Sequence, residues 1–133
     1  MKVVCCFLEH DGKFLIVARH NSNTQEYKWD VPAAYVMKEE NDEAAVLRVV
    51  SREAGYVASL ESLVFLGDIK FVSADNNPYT MMVYQIKVKN PFATHKGNAN
   101  YLNSEWVSPE ECLAKQALIK NLDKLLKFVG YVK

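Results

Sequence analysis

Both ends of one helix are written into the residues between Asn41 and Gly55, and no other segment constrains the fold as tightly. Asn41-Asp42 offers a capping side chain to the free N–H groups of a first turn, and Glu43 adds negative charge where a helix dipole favours it. Gly55 is a stop signal, because glycine readily takes the left-handed conformation at which helices end. The helix is therefore predicted to run to about Ala54. Before it, Arg19 to Lys28 is rich in Asn, Ser and Thr and reads as a loop, and Trp29 to Val36 reads as an extended segment interrupted by Pro32.

Strands surround this helix. Lys2 to Glu9 and Lys13 to Ala18 are apolar runs on either side of His10-Asp11-Gly12, and Asp-Gly between such runs signals a hairpin. Leu60 to Ser73 and Pro78 to Lys89 are β-rich and are separated by the turn-forming Asp75-Asn76-Asn77. Asn90 to Ser104 reads as a long polar loop, and Glu105 to Ser108 as a short strand. A helix is predicted from Pro109, capped by Ser108, and an amphipathic one over Lys115 to Gly130 with Leu118, Leu122, Leu125 and Val129 on one stripe. The order β-β-β-α-β-β-β-α predicts an α/β fold, a mixed sheet between helices.

The 133 residues fit one domain spanning 1–133, and a hydrophobic share of 50% is enough for one core. Sixteen basic and 16 acidic side chains cancel, so no charge excess points to a nucleic-acid polymer or a membrane surface. No apolar run approaches the roughly 20 residues needed to span a bilayer. Three cysteines without scaffold spacing read as small core hydrophobes in a reducing cytoplasm, a reactive thiol being the sharper reading. His10, His20 and His95 have no ligand spacing for a structural zinc ion.

The stretch WDVPAAYVMKEENDEAAVLRVVSREAGY, from Trp29 to Tyr56, resembles the Nudix box of the MutT-like hydrolases. Aligned on Gly55, the family's first Gly falls on Ala34, its first Glu on Glu40 and its Arg on Arg48, without a gap. Trp29 and Pro32 match the lead-in Trp-x-x-Pro-Gly-Gly, and SEWVSPEEC from Ser104 to Cys112 resembles the last strand and following helix. The resemblance covers nearly the whole chain. It implies a Nudix-type α/β/α sandwich with a mixed β-sheet, a pyrophosphohydrolase acting on a nucleoside diphosphate linked to another moiety, and a Mg2+ or Mn2+ cofactor.

The box is degenerate. The family's Arg-Glu-x-x-Glu-Glu is here Arg48-Val49-Val50-Ser51-Arg52-Glu53, and the lead-in Gly-Gly is Ala33-Ala34. Glycine is favoured where the backbone needs positive φ or close approach, so alanine there predicts a shifted or less open loop. Positions 49, 52 and 53 share an arc of roughly 100° on a helix, so three glutamates would make a face of charge about −3. Val49, Arg52 and Glu53 leave it near zero. Arg52 only donates and repels a cation, but it suits a phosphate or Glu53.

By resemblance, the metal ligands are Glu53, the Ala33 carbonyl and, loosely, Glu105, since residues 76–104 contain no Asp or Glu. Glu53, Glu40 and Arg48 are the carried-over catalytic positions. Arg19 and Arg52 are candidate substrate-binding cations. Thr94, His95, Lys96, Asn98, Asn100 and Asn103 offer hydrogen bonds rather than metal ligation. Plainer readings stand beside each: Val49 widens a core face, Glu53 is a solvated carboxylate or the partner of Arg52, Glu40 and Arg48 hold loop to helix, Trp29 and Trp106 are core aromatics, and Arg19 is a surface charge.

Three functions follow. One is a hydrolase of a nucleotide or nucleotide sugar, weakened by Val49 and Arg52, with substrate between the sheet and the box helix and specificity in the loops at Arg19–Lys28 and Phe92–Asn103. The second is a non-catalytic nucleotide- or metabolite-binding module in which Arg52 replaces the metal. The third is an interaction domain without a ligand. Restoring both glutamates, Val49→Glu with Arg52→Glu, is expected to return tight divalent binding. Oligomeric state leaves no mark in the sequence.

Overall fold

The computed structural model describes residues 1–21, 25–92 and 101–133. Among the described residues seven strands form one sheet: β1 Lys2–His10, β2 Lys13–Asn21, β3 Glu26–Asp30, β4 Ala33–Tyr35, β5 Val64–Val72, β6 Pro78–Lys87 and β7 Tyr101–Val107. Three helices accompany them, α1 Asp42–Ala54, α2 Pro109–Leu113 and α3 Leu122–Phe128. The main path runs β3-β2-β1-β6-β5, with β4 paired to β1 and β7 to β2. β1 is parallel to β6 and the remaining pairs are antiparallel, so the sheet is mixed as expected.

The local signals in the sequence explain much of this. Asp11 and Gly12 both take positive φ, 48° and 80°, the turn that a two-residue hairpin needs. Asn41 accepts from the Ala44 amide, while Gly55 at φ 71° donates to the Ser51 carbonyl, so α1 starts and stops at the residues that predicted it. Ser108 and Glu111 form a reciprocal capping box at α2, with Pro109 in its first turn. At Gly67, φ is 136°, and a Cβ would lie 2.9 Å from the Phe128 ring. There the bulge in β5 and the packing of α3 both require glycine.

Alternating side chains divide the core between the two faces of the sheet. Val4, Cys6, Leu8 and Leu15 pack under Ala45, Val46, Val49 and Val50 of α1. Cys5, Phe7, Phe14, Ile16, Met81 and Val83 pack against Leu122, Leu125 and Leu126 of α3. All three cysteines are buried free thiols, and burial pushes each of them up, Cys112 to about 11. That fits the reading of core hydrophobes and leaves no activated thiol among them. Trp106 donates to the Phe92 carbonyl and meets its ring edge-on, and Trp29 carries the Lys115 ammonium 4.9 Å above its ring.

Three expectations are corrected. The segment predicted as a loop from Arg19 is strand as far as Asn21, and β3 begins at Glu26, because Arg19, His20 and Asn21 pair with Lys28, Tyr27 and Glu26. Cross-strand pairing outweighs polar composition there. β7 likewise begins at Tyr101, paired to β2, rather than at Glu105. The C-terminal helix is confined to Leu122–Phe128 instead of Lys115 to Gly130. Ala117 and Asn121 take positive φ, and the Trp29 amide donates to the Ala117 carbonyl while the Ile119 amide donates to the Trp29 carbonyl. Those hydrogen bonds to β3 interrupt the helix, and Leu118 bridges to Trp29 rather than joining a helical stripe.

Candidate functional site

The box builds two arginine–glutamate clamps, one at each end of α1. Near its start, Arg48 Nε donates to Glu40 Oε2 at 2.8 Å and Nη2 to Glu40 Oε1 at 3.1 Å. Arg48 Nη2 also reaches the Tyr35 carbonyl, and the Met37 amide donates to Glu40. The hydrogen bond from Arg48 holds the Glu40 carboxyl below its ordinary range. This clamp ties the lead-in to the helix.

Near the end of α1, Glu53 is buried and paired bidentately with Arg19 of β2, not with its neighbour Arg52. Arg19 Nη1 meets Glu53 Oε2 at 2.8 Å and Nη2 meets Oε1 at 2.6 Å. The same Nη2 donates to the Val31 and Ala33 carbonyls, each at 3.1 Å. Arg19 Nε donates to Asp30 Oδ2 at 3.2 Å. The Ala33 amide completes the cluster by donating to Glu53 Oε1 at 3.2 Å. Desolvation pushes the Asp30 carboxyl up to about 6, Arg19 opposing and Glu53 reinforcing the shift.

Ala33 and Ala34 replace the lead-in glycines without strain, because both lie in β4, opposite Cys5 and Val4 of β1, where extended backbone suits any residue. Val49 is fully buried in the α1 core, so the reading that it widens an apolar face fits its position. Arg52 is exposed on the other flank of the helix. Glu105 lies on β7 and is ion-paired with Lys115 at 2.7 Å. Asn103 turns its side chain back to the Ser104 amide. Thr94, His95, Lys96, Asn98 and Asn100 lie outside the described residues.

The divalent cation implied by the resemblance finds a poor fit. Of its expected ligands, Glu53 and the Ala33 carbonyl both already accept from Arg19, and Glu105 accepts from Lys115. Among the described residues no three His, Cys, Asp or Glu side chains gather as a metal-binding group.

A cavity of about 510 Å³ opens beside Arg19, Asp30 and Ala33. Its apolar wall includes Phe71, Tyr79, Met81 and Leu122, and Lys28, Lys120 and Asn121 contribute polar groups. Asn121 is anchored by donating to the Val72 carbonyl and the Tyr79 hydroxyl. The cavity lies on the α3 face of the sheet. Between the sheet and the box helix, valine and alanine side chains pack together, so this cavity lies apart from the place where the resemblance puts a substrate. Among the described residues the walls come from the β5–β6 turn and the approach to α3, with Arg19 and Lys28 at the ends of one of the two loops expected to set specificity.

Asp30 is the residue that sequence reasoning missed. An acid between Trp29 and Val31, in a segment due to pack on a core, was the available signal. The cavity walls carried no such signal, since β5, β6 and α3 meet only in three dimensions.

Comparison with known proteins agrees with this architecture. A Nudix hydrolase from Nitrosomonas europaea is 22% identical, with a TM-score of 0.80 over 98% of this chain and 86% of that one. A MutT Nudix hydrolase from Burkholderia pseudomallei is 18% identical, with a TM-score of 0.79 over 96% of each chain. The NUDIX domain of Shewanella oneidensis NrtR, solved with ADP ribose, is 20% identical, with a TM-score of 0.76 over 96% of this chain and 84% of that one. No curated protein matches the sequence significantly. The NUDIX domain family model matches residues 1–127, and with the fold and the box framework in place the chain belongs to the NUDIX domain family.

Proposed function

We propose that this domain binds a nucleoside diphosphate derivative, a nucleotide or nucleotide sugar, and that its pyrophosphohydrolase activity is weak or impaired. The observation that carries this reading is the cavity of about 510 Å³ opening beside the Ala33-Ala34 lead-in. Its volume suits a small-molecule ligand. Phe71 and Tyr79 offer surface for a flat ring, while Lys28 and Lys120 offer positive charge for an anionic tail. The related NUDIX domain that binds ADP ribose supports the ligand class.

Phosphoanhydride hydrolysis with Mg2+ or Mn2+ needs charge neutralisation and a water held for attack. This chain keeps Glu53, Glu40 and Arg48 for such chemistry but replaces two acids by Val49 and Arg52. Each lost electrostatic group of this kind can lower a rate by about 10²- to 10³-fold. Arg52, on the exposed flank, is free of the core and available to an anion. In the same reading the domain works in the cytoplasm, where its buried thiols stay reduced.

A second reading, a non-catalytic binding module, is favoured by one contact. Arg19 Nη2 engages both Glu53 and the Ala33 carbonyl, the two groups a metal would need first. Turnover of a nucleotide and nucleotide-sugar panel with Mg2+ or Mn2+, beside calorimetry with and without the metal, separates the two. Metal-dependent turnover that Glu53→Gln abolishes supports the impaired hydrolase. Binding without metal and without turnover supports the module. Folded protein that binds no member of the panel overturns both.

A further inference from the structure

What surrounds Arg19 has the composition of a hard-cation site. Two carboxylates, Glu53 and Asp30, and two backbone carbonyls, of Val31 and Ala33, all direct oxygens at one guanidinium over 2.6 to 3.2 Å. Oxygen sets of this kind, carboxylates plus carbonyls, are what Mg2+, Mn2+ and Ca2+ take. The backbone fixes the carbonyls. The Pro32 carbonyl accepts from the Cys6 amide at 3.0 Å, so in this extended stretch the carbonyls on either side of it face the other way, toward Arg19.

We propose that this is a divalent-type oxygen cage whose resident cation is the Arg19 guanidinium, so that the domain gains a metal site only when Arg19 is removed. This deepens the second reading above, which rests on the same Arg19 contact, and wild-type metal-dependent turnover that Glu53→Gln abolishes would overturn both. The planar fork of Arg19 matches the Glu53 carboxylate in two parallel hydrogen bonds. An entering divalent ion would have to expel this internal cation from a buried partner and would meet its positive charge on the way. Glu53 and Asp30 place two carboxylates on the one guanidinium, so the cage already holds a cation at its centre. A glutamate restored at position 49 would add an acid without evicting the arginine. Arg19, not Val49 or Arg52, is therefore the residue that excludes the ion.

Mn2+ alone is the probe, followed by the electron paramagnetic resonance signal of the free ion and by thermal unfolding. The wild type is expected to take up no Mn2+ in a manner that depends on Glu53. Arg19→Ala and Arg19→Gln are expected to melt lower without metal, to recover saturably with Mn2+, and to bind it about 100-fold or more tightly than the wild type, given like-charge repulsion at this range. Arg19→Lys, which keeps a cation, should stay insensitive, and adding Glu53→Gln to Arg19→Gln should abolish the uptake. Wild-type uptake that Glu53→Gln removes overturns the proposal, as does a folded Arg19→Gln that binds no more Mn2+ than the wild type. Should neither Arg19 variant fold, Mn2+ broadening of wild-type amide resonances decides. Unaffected Ala33 and Glu53 signals support the cage being filled, and their selective loss overturns it.

Discussion

The two clamps of α1 use the same chemistry in different surroundings. The arginines are equally exposed, Arg48 at 25% and Arg19 at 24%, but the Glu40 side chain is 15% exposed and that of Glu53 only 4%. Glu40, in the loop before α1, answers a single arginine eight positions on, within the helix. Glu53 answers one from a strand 34 positions away and shares it with a second acid, Asp30. The pair type is therefore a poor guide to what a clamp does. Burial of the carboxylate and the presence of a competing acid separate a surface strap from a charged core element.

Removing the carboxylates one at a time should expose this difference most strongly. Glu53→Ala leaves the Arg19 guanidinium without its main partner and is expected to cost about 3–5 kcal/mol in urea unfolding. Glu40→Ala should cost far less, and equal losses would break the comparison. Val49→Glu, between the clamps, places an unpaired acid in the apolar α1 core and should cost about 3 kcal/mol, whereas Arg52→Glu on the exposed flank should stay within about 0.5 kcal/mol. The double substitution is then less stable than the wild type and, with Arg19 still in place, no better at holding Mn2+ by calorimetry.

The clamps should also respond to pH with opposite sign. Asp30 has a folded pKa pushed up to about 6 from an ordinary 3.8, so the folded state holds more protons than the unfolded state in that window. Stability should fall as pH rises from about 4 to about 6, by about 2 kcal/mol after allowance for the water that reaches Asp30. Asp30→Asn should flatten that slope. Glu40, held low by Arg48, contributes above its unfolded pKa and loses that contribution as pH falls through its lowered value. The smallest expected effect is from salt. Raising ionic strength to 1 M should weaken the Glu40–Arg48 coupling in a double-mutant cycle more than the Glu53–Arg19 coupling.

Legibility follows the range of each interaction. Caps and turns are local, so Asn41, Gly55, Asp11-Gly12 and Ser108 could be read directly. The first clamp was readable because Glu40 and Arg48 keep their places within one motif. The partner of Glu53 was not, since nothing in the spacing of residues 19 and 53 announces that β2 passes the end of α1. Helical periodicity at Leu118, Leu122 and Leu125 misled for a related reason: a backbone partner on β3 outweighed the local pattern. Val49 looked like damage to a metal site, while its position shows a side chain fitted to an apolar core.

The single rung between Trp29 and Leu118 has a wider consequence. It sits on β3 one residue before Asp30 and ties down the segment that leads to Ile119 and Leu122 in the cavity wall. The residues around Arg19 form one side of the cavity, with Asp30 and Ala33, and the stretch from Ile119 to Leu122 forms another. Substitutions after Ile119 therefore reshape one side of the cavity while leaving the Arg19–Glu53 pairing in place.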